Sequence, residues 1–363
     1  MSTVVVTGVA GALGSRVARR LLARPDVDRV VGVDLVPVVD AHPRLDARVI
    51  DLSARPAADD VELERVMDGA DAVLHLAWSL SDGKGAVAAD VVAAAAANQR
   101  SLIRVLDAAD KVGVSVVVHM SSATVYGAWA DNKIPLTEDA RIRPNPEFTF
   151  AVSKAESERI LADWSDDHPA VAVSVLRPAA TVGSDRRPLY QALGIPRSPR
   201  LADEGRPVQY LHIEDLASAV VQAWDHRLSG VFNVAPDAGV AEEQARALAG
   251  GVARLSVPDR LAARLSALGW HLWRQGVPPE AQAYATHPWV VAPDRLKATG
   301  WVPEYSSEEA LVATDERLHW DDLPPGRRQN LNLLLVIIGA VAAGAGLAAG
   351  TAAIIRRRRK HRS

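Results

Sequence analysis

A glycine-rich corner between an apolar run and an amphipathic stretch constrains this chain more than any other feature. Val4, Val5 and Val6 form a short β-branched run, and Thr7-Gly8-Val9-Ala10-Gly11-Ala12-Leu13-Gly14 follows at once. Leu13, Val17, Leu21 and Leu22 then recur at helical spacing. In a strand-to-helix corner the three glycines serve different ends. Gly8 permits the tight turn, Gly11 lets backbone approach a pyrophosphate, and Gly14 lets helix and strand pack closely. The helix N-terminus then faces the phosphates. Thr7, Ala12 and Leu13 belong to the same candidate cofactor loop. Asp34 stands 20 residues beyond Gly14, at the end of the second apolar run. A carboxylate there accepts hydrogen bonds from a ribose diol and repels a 2′-phosphate, so the expected cofactor is NAD rather than NADP.

Further apolar runs follow at Arg29 to Val33, Ala72 to Leu76, Val114 to His119 and Val171 to Leu176, with helical stretches at 87–110 and 151–164. This alternation predicts an α/β fold in which helices cover both faces of a parallel sheet. No repeat of solenoid length is present. Beyond Pro178 the pattern turns irregular and rich in Pro, Gly and Arg to about 207, then regains order. Five of the nine Trp, at 270, 273, 289, 301 and 320, fall late in the chain and suggest a smaller C-terminal lobe.

Composition narrows the function classes. The 363 residues hold 41 Lys+Arg and 44 Asp+Glu, a formal charge of -3. Six of those cations lie in residues 356–362, RRRRKHR, so the preceding 355 residues carry a net of -9. An acidic body without a basic stripe argues against nucleic acid as a partner, because phosphate neutralisation needs clustered Lys and Arg. With no Cys there is no disulfide, no Cys zinc site and no thiol nucleophile, and no metal site is expected. A hydrophobic content of 48% excludes wholesale disorder.

Several later segments fall in a recognisable order. They are Asp51-Leu52, His75-Leu76-Ala77, Asn98 to Ala109, Ser121-Ser122-Ala123-Thr124-Val125-Tyr126-Gly127, Leu176-Arg177-Pro178, Tyr210 to Asp215, Phe232-Asn233-Val234 and Gly300-Trp301-Val302-Pro303. With the TGxxGxxG spacing, this series over about residues 3–315 resembles the extended short-chain dehydrogenase/reductase family, NAD-dependent epimerases and dehydratases acting mostly on nucleotide sugars. The resemblance implies a Rossmann-type doubly wound parallel sheet at 1–180, completed by 208–235. A substrate lobe would take 181–207 and 236–320. It also implies adenine contacts from Asp51 and Leu52, cofactor contacts from Leu76, Ala77, Lys154 and Pro178, and a catalytic role for Ser122 and Lys154. The implied substrate is a small molecule such as a nucleotide sugar.

One departure bears on chemistry. The family places a Tyr four residues before a Lys, so that the Lys holds the nicotinamide ribose and lowers the phenol pKa while the Tyr exchanges a proton with substrate. Here Lys154 is preceded at that spacing by Phe150, and residues 146–153 contain no Tyr. Either another group supplies the proton, with Tyr126, Thr124 with Ser122, and Glu147 as candidates, or the domain binds NAD as a non-catalytic regulator or scaffold. In the short stretch between Gly183 and His212, Arg186, Arg187, Arg197, Arg200 and Arg206 could meet phosphates or simply be solvated. The amphipathic stretch from Leu261 to Trp273 reads first as core.

Residues 321–330 form a polar, Pro-containing linker, and 331–355 contain no charge. As a helix, the latter would span roughly 37 Å against a hydrocarbon core of about 30 Å. A C-terminal transmembrane helix is therefore expected, with the basic tail 356–363 beyond it. The chain opens on its first strand without a secretory signal, so the NAD-binding domain is expected on the cytoplasmic side of the membrane. The positive-inside rule would put the basic tail there as well, and one span cannot satisfy both. Gly346 and Gly350 match the small-xxx-small spacing of close helix pairs, which suggests a homodimer.

Overall fold

A computed structural model describes residues 2–39, 42–54, 61–79, 88–183, 207–248 and 279–313. Strand β1 (Ser2–Thr7) is followed by helix α1 (Ala12–Leu22), β2 (Val27–Asp34), β3 (Leu45–Val49), α2 (Glu62–Met67) and β4 (Ala72–His75). Next come α3 (Ala88–Val112), β5 (Val116–Met120), α4 (Thr149–Asp167), β6 (Ala172–Pro178) and β7 (Ala180–Val182). The chain continues through β8 (Pro207–Val208), β9 (Tyr210–His212), α5 (Ile213–Asp225), β10 (Gly230–Val234), β11 (Val240–Ala241) and α6 (Glu242–Leu248). Short helices α7 (Gln282–Thr286), α8 (Asp294–Lys297) and α9 (Ser307–Ala313) close the described chain.

Seven strands form one parallel sheet in the order β10-β6-β5-β4-β1-β2-β3. The fold is thus a Rossmann-like α/β sheet, as the alternation of runs predicts. Its two faces follow from strand periodicity. Val4, Val6, Leu74 and Val118 point to one side and pack with Val17 and Leu21 of α1 and Leu216 and Val220 of α5. Val5, Val73 and Val117 point to the other, against Leu63 of α2, Leu102 and Leu106 of α3 and Leu161 of α4. The strand order reverses between β1 and β4, and there the strand ends diverge and leave a crevice.

β3 has no apolar run to announce it, because it is the sheet edge and Ala47, Arg48 and Val49 are exposed. Beyond the main sheet, β7 pairs with β9 and β8 with β11. A small second core forms around Val182, Tyr210, Val240 and Leu311. The arginines at 186, 187, 197, 200 and 206, the stretch 261–273 and the expected transmembrane segment 331–355 with its basic tail all lie outside the described residues. Among the described residues, no helix is long and apolar enough to cross a membrane.

Asp215 ties the late segment to the sheet. It is buried at the start of α5, and its two carboxylate oxygens accept the backbone N–H of Glu304 at 2.8 Å and of Tyr305 at 3.1 Å. Asp215→Ala would leave both donors unpaired, so urea unfolding should show a loss of about 2–4 kcal/mol, with Asp215→Asn recovering part of it.

Candidate active site

The crevice is a cavity of about 370 Å³. One end is lined by Asp34, Asp51 and Leu52, the middle by Gly8, Gly11, Ala12, Leu13 and Gly14, and the other end by Ser122, Phe150, Lys154 and Pro178. Gly8 has a φ of +72°, and a Cβ there would meet the Ala77 backbone at 2.9 Å. A Cβ on Gly14 would stand 2.0 Å from the Gly8 carbonyl oxygen. Both positions therefore require glycine, one for conformation and approach, the other for approach alone. Helix α1 starts at Gly11 with no side-chain cap and no acidic residue in its first turn. Its N-terminal dipole is thus directed at the cavity without competition from a carboxylate in its own first turn.

At the first end, Asp34 Oδ2 accepts the Ala10 N–H at 2.9 Å and Oδ1 accepts the Leu35 N–H at 2.7 Å. These bonds orient the carboxylate while leaving lone pairs for a diol. Asp51 accepts both the Ser53 hydroxyl, at 2.7 Å, and the Ser53 N–H, at 2.9 Å. The Ser53 hydroxyl above all holds the Asp51 carboxyl below its ordinary pKa. Thr7 acts from beneath: its Oγ1 accepts the N–H groups of Leu76 and Ala77, each at 3.1 Å, which fixes that turn against β1.

At the other end, Ser122 Oγ accepts the Thr124 N–H at 3.2 Å and the Thr124 hydroxyl at 2.9 Å, so its own proton remains to be donated. Lys154 is buried, donates to the Met120 carbonyl at 2.6 Å, and sets its ammonium 3.5 Å from the centre of the Trp78 ring. Phe150 meets the same indole edge-on at 5.8 Å. Neighbouring Ser121 donates to Glu158, whose carboxylate forms a buried ion pair with Arg177 at 2.6 Å.

The model of the NAD dependent epimerase/dehydratase family matches residues 4–235. The chain belongs to this family. It is 28% identical to the UDP-glucose 4-epimerase of Azospirillum brasilense, over 88% of this chain and 91% of that one. It is also 28% identical to the dTDP-glucose 4,6-dehydratase of Streptomyces griseus, over 66% and 75%. Among solved structures, UDP-glucose 4-epimerase from Thermus thermophilus in complex with NAD superposes with a TM-score of 0.63 at 22% identity, covering 86% of this chain and 97% of that one.

The family's cofactor is NAD, and the cavity fits it. A carboxylate lies at one strand end, an uncapped helix N-terminus lies at the middle, and Cβ atoms would fill the glycine cradle. When bound, NAD supplies a hydride acceptor or donor. The chain's own residues would hold the adenosine ribose at Asp34, the phosphates at Gly11 to Gly14, and the remaining half beside Ser122, Lys154 and Pro178.

Of the alternative proton donors, Ser122 lines the cavity, whereas Tyr126, Thr124 and Glu147 do not. Tyr126 is buried outside it, donating to Asn233 Oδ1 at 2.8 Å and accepting from Arg177 at 2.8 Å. Burial moreover pushes its phenol pKa up. Thr124 spends its hydroxyl on Ser122, and Glu147 is exposed and does not line the cavity. Sequence reasoning missed Trp78, Trp289 and Tyr284. Trp78 and Trp289 line the cavity, while Tyr284 donates to the Thr124 carbonyl at 2.7 Å and braces the Ser122 turn from 160 residues away. Only Trp78 had a local signal, its place directly after His75-Leu76-Ala77.

Two buried histidines lie under this end. His75 and His119 stack with centroids 5.6 Å apart, and His75 Nδ1 meets Thr7 Oγ1 at 2.9 Å. Because that oxygen already accepts two N–H groups, its proton goes to Nδ1 and His75 carries its own proton on Nε2. Burial, with Lys154 nearby, lowers the His75 pKa to about 3 and that of His119 well below its ordinary value. Both are thus neutral when folded, whereas the unfolded chain protonates each below about pH 6.5. Stability should therefore fall as pH drops below that point, by up to about 1.4 kcal/mol per pH unit for each histidine. Neither ring nitrogen of His119 has a hydrogen-bond partner among the described residues. Urea titrations of His119→Phe from pH 7 to 4 should show a shallower fall in stability than wild type, without a loss at pH 7.

Proposed function

We propose that this chain is an NAD-dependent oxidoreductase of the epimerase/dehydratase type that acts on a nucleotide sugar or another hydroxylated substrate, with Phe150 in the place of the family's catalytic Tyr. The observation that carries the reading is the reacting end itself. Ser122 keeps a proton free to donate to a substrate oxygen, and Lys154 lies on the same wall, while Phe150 has the shape of the missing phenol and no proton. With no phenol at that place, and no carboxylate or imidazole lining that end among the described residues, solvent exchanges the proton, and turnover is slower by the factor of about 10²–10⁴ that a positioned acid or base provides. The named activities of the relatives, on UDP-glucose and dTDP-glucose, give the first substrates to try.

A second reading, a non-catalytic NAD-binding regulator or scaffold, is favoured by one observation: the Lys154 ammonium rests on Trp78 and the Met120 carbonyl. We place the domain on the cytoplasmic side of a membrane, anchored by residues 331–355. Protection of the 356–363 tail from added protease in sealed vesicles tests that topology.

Reduction of bound NAD, followed as NADH absorbance on adding UDP-glucose or dTDP-glucose, separates the two functions. Slow reduction in wild type, lost in Ser122→Ala and faster by at least tenfold in Phe150→Tyr, is expected. NAD binding without reduction in wild type, with activity only in Phe150→Tyr, would favour the regulator.

A further inference from the structure

Trp78 is fixed from both sides. The N–H groups of Leu76 and Ala77 are held by Thr7 Oγ1, and the Asn98 side chain accepts the Ser79 N–H and donates to the Ser79 carbonyl, each at 2.8 Å. The backbone that carries the indole is therefore pinned to β1 and α3. The indole reaches across the cavity end to place its ring centre 3.5 Å from Lys154 Nζ, with Phe150 against its edge. A desolvated ammonium over an indole face is a strong form of cation–π contact. Lys154 is only 3% exposed, so this is the desolvated case.

The cavity has a polarity that makes this contact consequential. Asp34 and the α1 N-terminus fix the adenosine and phosphate half of NAD, so the half that carries the nicotinamide falls at the Lys154 end. There its ribose hydroxyls and the Trp78 ring are rivals for one ammonium. We propose that Trp78 covers Lys154 and must rotate aside before the nicotinamide half of NAD is gripped. The chain then holds NAD chiefly through its adenosine diphosphate half. Because the backbone is pinned, uncovering Lys154 is a side-chain rotation and not a loop opening. Phe150 contributes by supporting the indole edge, a role a phenyl ring fills without a hydroxyl.

The inference rests on NAD binding at this cavity, and ADP separates the two. Calorimetric titration of the full chain with NAD and with ADP, in wild type, Trp78→Phe and Trp78→Ala, should show NAD binding about tenfold tighter in Trp78→Ala, with a smaller gain in Trp78→Phe. ADP affinity should stay unchanged in both. NAD affinity that is unchanged or weaker in both variants, with ADP unaltered, would overturn the cover and make Trp78 a supporting wall. Parallel loss of NAD and ADP in both variants would overturn it too, since Trp78 would then serve the fold of the 76–79 turn. Failure of wild type to bind either ligand would instead remove the reading on which the proposal stands.

Discussion

The approach of helix α1 to the loop before it governs the rest of the site. The Gly8 carbonyl lies where a Cβ on residue 14 would be, 2.0 Å away, and the Gly8 backbone in turn presses on Ala77. Those two contacts bring β1, the start of α1 and the end of β4 closer than side chains allow. The helix N-terminus consequently opens into the crevice, within reach of Asp34 on one side and the Leu76–Ser79 turn on the other. An acidic chain can then hold a diphosphate with backbone dipoles instead of surface cations.

The opposite end is built on different physics. Among the described residues, Trp78, Phe150 and Trp289 line it, and the Lys154 ammonium is set on an indole face. Beneath lies a layer that stays neutral, with His75 and His119 both held uncharged by burial. Neutral imidazoles add no repulsion to Lys154, so the cation can remain buried. The Arg177–Glu158 pair, joined by Ser121 and Tyr126, satisfies further buried polar groups between α4, β6 and the Ser122 turn. The shape of the pocket is thus maintained by a network in which Tyr126 is a structural member.

Much of this was legible in the residue pattern, for a physical reason. β1, β2, β4, β5 and β6 are buried on both faces, so each reads as a continuous apolar run, and the glycines follow from the demands of a strand-to-helix corner. β3 escaped because an edge strand needs no such run, and its Leu45-Asp-Ala-Arg-Val49 carries charge outward. Residues that act over long sequence separation were equally hidden. Tyr284 braces Thr124, and Asp215 holds Glu304 and Tyr305, through contacts that no local spacing announces. Trp78 was passed over because the motif before it ends at Ala77, although its indole contacts Lys154 in the cavity lining.

Cofactor choice tests the glycine cradle and the neighbouring Asp34 carboxylate together. Calorimetric titration of the wild-type chain with NAD and with NADP should give one NAD site per chain and NADP binding weaker by at least about tenfold, or 1.4 kcal/mol. The discrimination should shrink in Asp34→Ser, because the repelling carboxylate is gone. Absence of NAD binding, or equal affinity for the two cofactors in the wild type, would contradict these roles.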